Sequence, residues 1–370
     1  MLAAFLPLAI VLGACLTLPP IGALVADQPL AQFMQLPLET LAWDALPPNP
    51  LVTWIALALG AVLIALVLWR SRARSTAKPQ EQPARTGAWS TWAWIGPSLL
   101  IAAPVLADLW GGHLGWPLAL LGLSLSLEAH SLRRSGVCLL AQNPRYFLAL
   151  FPAGVLLGWT LYWINLYLQL WHYPNAPAPL PFALLTTLGY AALLPALLSL
   201  RQWLGTQSWL TGLGRHAAPL DTGDGQAIAW PLIALAGFGL IGAGVWPDWI
   251  YPLTWLSPLL LAIGLQSIGG KSGLLAGLDR GDWGRLLLTA VAALGLGLAA
   301  QTWNYWVGPL WVYNLSLIGG PAPLGLPLPG WLGLVPLGLL ALWVADQVAR
   351  PWHGRSKPRF PEFPVKILVK

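Results

Sequence analysis

Apolar runs of about twenty residues, broken by short polar stretches, alternate along the whole chain. A bilayer core about 30 Å thick needs about 20 apolar residues per helical crossing. That length predicts ten spans, at about 2–26, 51–70, 88–109, 114–132, 146–170, 180–200, 227–246, 249–268, 285–306 and 331–349. Pro19, Pro20, Pro97, Pro152 and Pro195 fall in or beside these runs. Membrane helices tolerate proline where neighbouring groups re-satisfy the freed carbonyls. The expected fold is an all-α, polytopic bundle of about ten transmembrane helices.

Composition points the same way. Hydrophobic residues make up 57% of the chain and charged residues 9%, against about 25% charged in an ordinary soluble domain. So few charges cannot cover a water-facing surface. The 24 tryptophans gather near the ends of apolar runs, where an amphipathic ring prefers the headgroup layer.

The charges also order the spans. With the N-terminus in the cytoplasm, the inner segments are 71–87, 133–145, 201–226, 269–284 and the tail after 350. All 19 Lys and Arg, from Arg70, Arg72 and Arg74 to Lys366 and Lys370, lie in those segments or at their borders. Asp27, Glu39, Asp44 and Asp248 fall on the outer side. This asymmetry is the positive-inside pattern and predicts a bacterial inner-membrane protein with both termini cytoplasmic. It accounts for the net charge of +6 without nucleic acid. "LGAC" at 12–15 has the form of a lipoprotein cleavage box, but no Lys or Arg precedes it, so an uncleaved first span is expected. Cys15 and Cys138 suggest neither a disulfide framework nor a thiolate metal site.

A phrase near the middle of the chain returns later. Trp171 and Tyr173 recur as Trp311 and Tyr313, 140 residues on. "GYAALLP" (189–195) recurs as "GWLGLVP" (330–336), and Pro117 matches Pro258, both 141 on. Gly154 and Gly158 match Gly295 and Ala299 at that same offset. Independent matches at one period argue for duplication. The expected organisation is an N-terminal transmembrane hairpin with a basic loop (1–87), a first four-span repeat (88–226), a second (227–349) and a basic tail (350–370). An even number of spans per unit makes the repeats parallel, related by an axis along the membrane normal. Asn165 and Asn304 are 139 apart, so either the helix bulges or one match is accidental. Each Trp-x-Tyr opens a Pro-rich loop, and the two loops are expected as rigid caps on one outer face.

"YWINLYLQLWHY", "QTWNYWVGPLWVY" and "LGLPLPGW", with "RGDWGR" at 280–285, resemble a family of uncharacterised bacterial polytopic membrane proteins. Its paired motifs read Trp-Glu-x-x-Asn followed by Trp-x-Tyr. The resemblance covers about two-thirds of the chain and implies no assigned activity. Where the family pattern has glutamates, this chain has Tyr162, Gln301 and Gly325. Intramembrane carboxylates are functional by default, so the resemblance implies that acid–base or proton-coupled chemistry is lost here.

Candidate sites are few, and no catalytic residue or metal site is predicted. Asn165, Gln169, Gln301 and Asn304 lie on equivalent helices, framed by Tyr162, Trp163, Trp303 and Trp306. They read as helix glue across the repeat interface, at about 0.6–2 kcal/mol per bond, or as a ligand site. Aromatic walls with a few amides suit a lipophilic ligand such as a lipid, quinone or carotenoid. Trp171, His172, Tyr173, Trp311 and Tyr313 read as outer interface anchors. His113 and His172 near the outer face would be the ligands of a haem, or else interfacial polar residues. Glu128 and His130, beside Arg133 and Arg134, read as an interfacial salt-bridge cluster, and Asp108 and Asp346 as boundary charges. The small-residue stretches 236–244 and 292–300 suit close helix packing.

No phosphate loop, Ser–His–Asp arrangement or zinc motif is present. The expected function is a non-catalytic accessory or scaffold subunit that binds membrane lipids, a lipophilic cofactor or other membrane proteins. The alternatives are a transporter with its site at the repeat interface, and an enzyme acting on isoprenoids or lipids within the bilayer.

Overall fold

The computed structural model of the chain describes residues 2–71, 91–110, 112–210, 213–214, 217–220, 225–268 and 273–349. The basic segment around Arg72 and Arg74, the tail with Lys366 and Lys370, and His216 and His353 lie outside the described residues.

The helices are α1 (Leu2–Val25), α2 (Pro50–Ser71), α3 (Trp92–Trp110), α4 (Gly112–Ser135), the short α5 (Leu139–Gln142), α6 (Pro144–Leu168), α7 (Pro179–Gly205), α8 (Gly225–Val245), α9 (Pro247–Ile268), α10 (Gly284–Trp306), the short α11 (Leu328–Leu332) and α12 (Leu334–Ala349). Among the described residues, nine helical segments are long and apolar enough to cross a bilayer, α11 and α12 counting as one. The chain is an all-α, multi-pass membrane protein. The tenth expected span, α4, is 24 residues long, about 36 Å at 1.5 Å per residue. It carries Glu128, His130, Arg133 and Arg134 and so has a more polar face than the other nine.

Local signals set the helix ends. Asn143 caps α6, its Oδ1 accepting from Tyr146 N at 3.1 Å with Pro144 at the first position, the usual arrangement for a helix start. Gln169 ends α6 in the left-handed region at φ 52°. Proline opens α7 and α9.

Four helices form the centre. α6 packs on α7, α7 on α10, α10 on α12, and α12 back on α6. Two hairpins flank this ring: α3–α4 lies against α7, and α8–α9 against α12. The first two spans have different neighbours. α1 packs mainly on α8 and also on α6, α9 and α12, whereas α2 leans on α11. Most apolar side chains of α2, among them Trp54, Leu59, Leu63 and Trp69, are exposed, as expected of a helix largely surrounded by lipid.

Helix contacts resolve the conflict between the two offsets. A Cβ on Gly158 would run into the Tyr190 ring of α7, and one on Gly297 into the Leu334 side chain of α12. Gly158 and Gly297 are 139 apart, the spacing of the two asparagines. Gly295 instead faces Leu200 of α7, and α10 is one unbroken helix. The contact that Gly158 makes with α7 thus recurs at Gly297 with α12, at the offset of the asparagines.

Candidate functional site

The two Trp-x-Tyr motifs meet. Trp171–His172 and Val312–Tyr313 form a two-stranded antiparallel ladder, with Trp171 opposite Tyr313 and His172 opposite Val312. We call this the capped end of the bundle. Two-residue strands are too short to hold themselves together, so other groups must fix them.

The asparagines do so. Asn165 Oδ1 accepts from the backbone N–H of Leu170 at 2.9 Å and of Trp171 at 3.2 Å, and its Nδ2 donates to Trp171 O at 2.8 Å. Asn304 Oδ1 accepts from Leu310 N at 2.8 Å and Trp311 N at 3.1 Å, and its Nδ2 donates to Trp311 O at 2.9 Å. The two constellations match bond for bond. The second loop is one residue longer between asparagine and tryptophan, and the positive-φ Gly308 lies in that longer turn. This explains why the asparagines are 139 apart and the tryptophans 140. Asn165 and Asn304 are thus not glue between helices: each bonds the loop that follows its own helix, and the ladder joins the two loops.

Beneath the ladder the aromatic side chains turn in on one another. Trp171 Nε1 donates to Tyr173 Oη at 3.0 Å, and Trp311 Nε1 to Tyr313 Oη at 3.2 Å. Tyr173 shares a hydrogen bond with Tyr190, and Gln301 Nε2 donates to Tyr313 Oη at 2.6 Å. Burial raises the phenol of Tyr173 above its usual range and pushes that of Tyr313 up to about 12, so both stay neutral. Of the five residues expected as outer anchors, these tyrosines and tryptophans knit the cap together. His172 is half-buried, and its imidazole is pushed below its ordinary value by burial.

A third segment straps both caps. In the loop between α1 and α2, Phe33 stacks on Tyr167 at 4.5 Å between ring centroids. Leu38 N donates to Tyr162 Oη at 2.8 Å, and Tyr162 Oη donates to Gln35 O at 3.2 Å. Ala42 N donates to Gln169 Oε1 at 2.7 Å, and Tyr173 N to Leu38 O at 2.8 Å. Further along, Leu317 N donates to Leu46 O and Asn49 N to Leu317 O. Ser316 bonds Asp248 at the start of α9. The many apolar residues of this Pro-rich loop, Phe33, Leu38 and Trp43 among them, were the available signal.

The remaining predicted residues are dispersed. Trp163 Nε1 donates to Leu16 O of α1 at 3.1 Å. Trp303 packs on Trp116 at 6.2 Å. Trp306 is 78% exposed and points away from the bundle, so it frames no site with Asn304. The structure has a cavity of about 360 Å³ between α1, α6 and α12, lined by residues such as Phe5, Leu12, Cys15, Leu156, Trp343 and Val344. None of the amide or aromatic residues predicted to bind a ligand lines it.

At the opposite end the basic residues gather. Glu128 is fully buried, accepting from Ser199 Oγ at 2.7 Å and Leu140 N at 2.9 Å. It anchors the 136–143 loop instead of joining a salt bridge, contrary to expectation. Gln202 assists, accepting from Leu139 N and donating to Val137 O. Asp346, near the end of α12, pairs with Arg285 of α10. Among the described residues no group of three His, Cys, Asp or Glu could hold a metal ion. No family model, no curated protein and no solved structure matches this chain.

Proposed function

We propose that this chain is a non-catalytic accessory or scaffold subunit of the bacterial inner membrane. In this reading both termini are cytoplasmic and the capped end faces outward. One observation carries it. Asn165, Asn304 and Tyr162, candidates for a ligand site, and the anchors Tyr173 and Tyr313 are committed to holding three segments of the capped end together. Tyr162 and Gln301, which stand where the resembled family has glutamates, belong to that same network. The matched asparagine constellations and the exchange of helix neighbours around the ring support two parallel copies of one four-helix unit. The largely apolar cavity between α1, α6 and α12 supports a lipid or another lipophile as the bound species.

Purification of the full chain from a bacterial membrane in mild detergent tests this reading. Mass spectrometry of co-eluting proteins and extracted lipids, with an absorption spectrum, should show a partner or lipophile at fixed stoichiometry. A protein that elutes alone and without lipid, and moves a solute across vesicles, would refute it in favour of transport.

A further inference from the structure

The cavity between α1, α6 and α12 runs from Phe5 to Cys15 along α1 and from Ala149 to Leu161 along α6. At 1.5 Å per residue these stretches are about 15 and 18 Å long. The cavity is therefore a slot along the helices, about as long as one leaflet of a 30 Å hydrocarbon core is deep. It lies toward the basic end: Phe5 and Ala149 are near the starts of their helices, and Val348, also in its wall, is near the end of α12. One side is open. Ala9, Pro152 and Leu156 line the slot and remain exposed, whereas Cys15, Trp343 and Val344 form a buried floor. Thr160 donates to Leu156 O of its own helix at 2.7 Å, and the indole N–H of Trp343 is buried. The slot thus offers an occupant little but carbon. Water does not fill such a space, and the open side faces lipid. The α6 residues of the wall, such as Ala149, Pro152, Leu156 and Thr160, are three or four positions apart and share one face. One turn before Ala149 that face carries Arg145, which is exposed. Helical side chains lean toward the N-terminus, so Arg145 stands between the slot and the headgroup layer at the basic end.

We propose that the slot holds one acyl chain of an acidic phospholipid from the leaflet at the basic end, with Arg145 at its mouth paired to the lipid phosphate. A guanidinium fork matches phosphate oxygens, and a basic group at the membrane surface favours an anionic headgroup over a zwitterionic one. The inference rests on the lipophile-binding part of the reading above and names the lipophile and its seat.

The test uses the full chain in phosphatidylcholine nanodiscs that hold a little phosphatidylglycerol with a diazirine in mid-chain. After photolysis and digestion, mass spectrometry reads the label on each helix. The proposal expects label on the 5–15 and 149–161 stretches that saturates and is competed by unlabelled phosphatidylglycerol. Label on the largely exposed α2 should not saturate. Ala9→Phe and Ala149→Phe narrow the slot and should lower its label about fivefold or more, with α2 unchanged. Arg145→Gln should weaken competition by phosphatidylglycerol about fivefold, and the exposed Arg134→Gln on α4 should not. Slot label that is competed no better than that of α2 in the unmodified protein would overturn the proposal, whether or not the variants fold. So would undiminished slot label in the folded phenylalanine variants, and unaltered competition in Arg145→Gln would overturn the headgroup contact. Bound lipid that labels other helices instead would overturn this assignment and leave the scaffold reading standing. Competed slot label in a protein that purifies without a partner and moves a solute would do the reverse.

Discussion

Trp171 faces Tyr313 and His172 faces Val312 across the antiparallel ladder at the capped end. With the motifs aligned Trp to Trp and Tyr to Tyr, the register is centred on His172 and Val312, so equivalent residues exchange places across a local two-fold. The ring below shows the same exchange, with α7 touching α10 where α6 touches α12. Helix packing and cap pairing thus obey one symmetry, even though the loops differ in length.

The asparagines should act as paired structural anchors. Asn165→Leu leaves the N–H groups of Leu170 and Trp171 without their acceptor, and Asn304→Leu does the same to Leu310 and Trp311. Each replacement should cost about 2–4 kcal/mol of stability in detergent. Because the two caps pair, a double-mutant cycle should show a coupling of about 0.5–3 kcal/mol. Strict additivity in the melting data would mean the caps are independent.

The seam between α1 and α8 should resist any added side chain. A Cβ on Gly22 would strike the Ile241 carbonyl, and one on Gly244 would strike the backbone of Pro19 and Ala23. Gly22→Val or Gly244→Val should destabilise by about 1–3 kcal/mol through overpacking. Gly237→Ala, whose Cβ would meet nothing within 4 Å, should be neutral or slightly stabilising. Thermal unfolding of the three variants compares them directly.

Cys138 should be inert in the native protein. It is buried, and burial, helped by the Glu128 charge, pushes its thiol up to about 12. Thiolate is the reactive form. Intact-mass analysis after maleimide treatment near pH 7.5 should show neither Cys138 nor the fully buried Cys15 modified, and both modified after denaturation. Rapid native labelling at Cys138 would count against the described anchoring of the 136–143 loop.

Acid should loosen the cap through His172. Burial lowers its imidazole below the ordinary value of 6.5, so the folded state prefers the neutral form. Stability from this group is present above about pH 6.5 and is lost as pH falls through the lowered value. The melting temperature should drop between about pH 7 and pH 5, and His172→Gln should flatten that slope. An unchanged slope in the variant would remove His172 from the account.

Much of the architecture was legible because lipid imposes a simple rule, apolar runs of fixed length. That rule located α1, α2 and α9 to within about two residues. It also located α4, whose Glu128 is satisfied inside the protein by Ser199 and Leu140. Asn165 and Asn304 stood out because a side-chain amide in an apolar helix needs a partner. Their partners were not legible, because capping by residues five to seven positions ahead depends on how each helix ends. Pairing of Trp171 with Tyr313 and docking of Leu38 on Tyr162 join segments more than a hundred residues apart, through contacts too short to leave a periodic pattern. Trp306 was misread because proximity in sequence to Asn304 says nothing about which side of α10 a ring occupies. The pairing of Asp346 was not legible because its partner Arg285 comes from another helix.

Cross-linking of the two caps tests the central claim most directly. Residues opposed in an antiparallel ladder have Cα atoms about 4.5–5.5 Å apart, within the range a disulfide bridges. His172→Cys with Val312→Cys, in a chain whose Cys15 and Cys138 are replaced by Ala, should oxidise rapidly in native membranes, and digestion should yield a linked peptide pair. His172→Cys combined with Leu328→Cys, outside the ladder, should remain reduced. Failure of the first pair to cross-link in folded protein, or equal cross-linking of the second, would contradict the paired-cap structure.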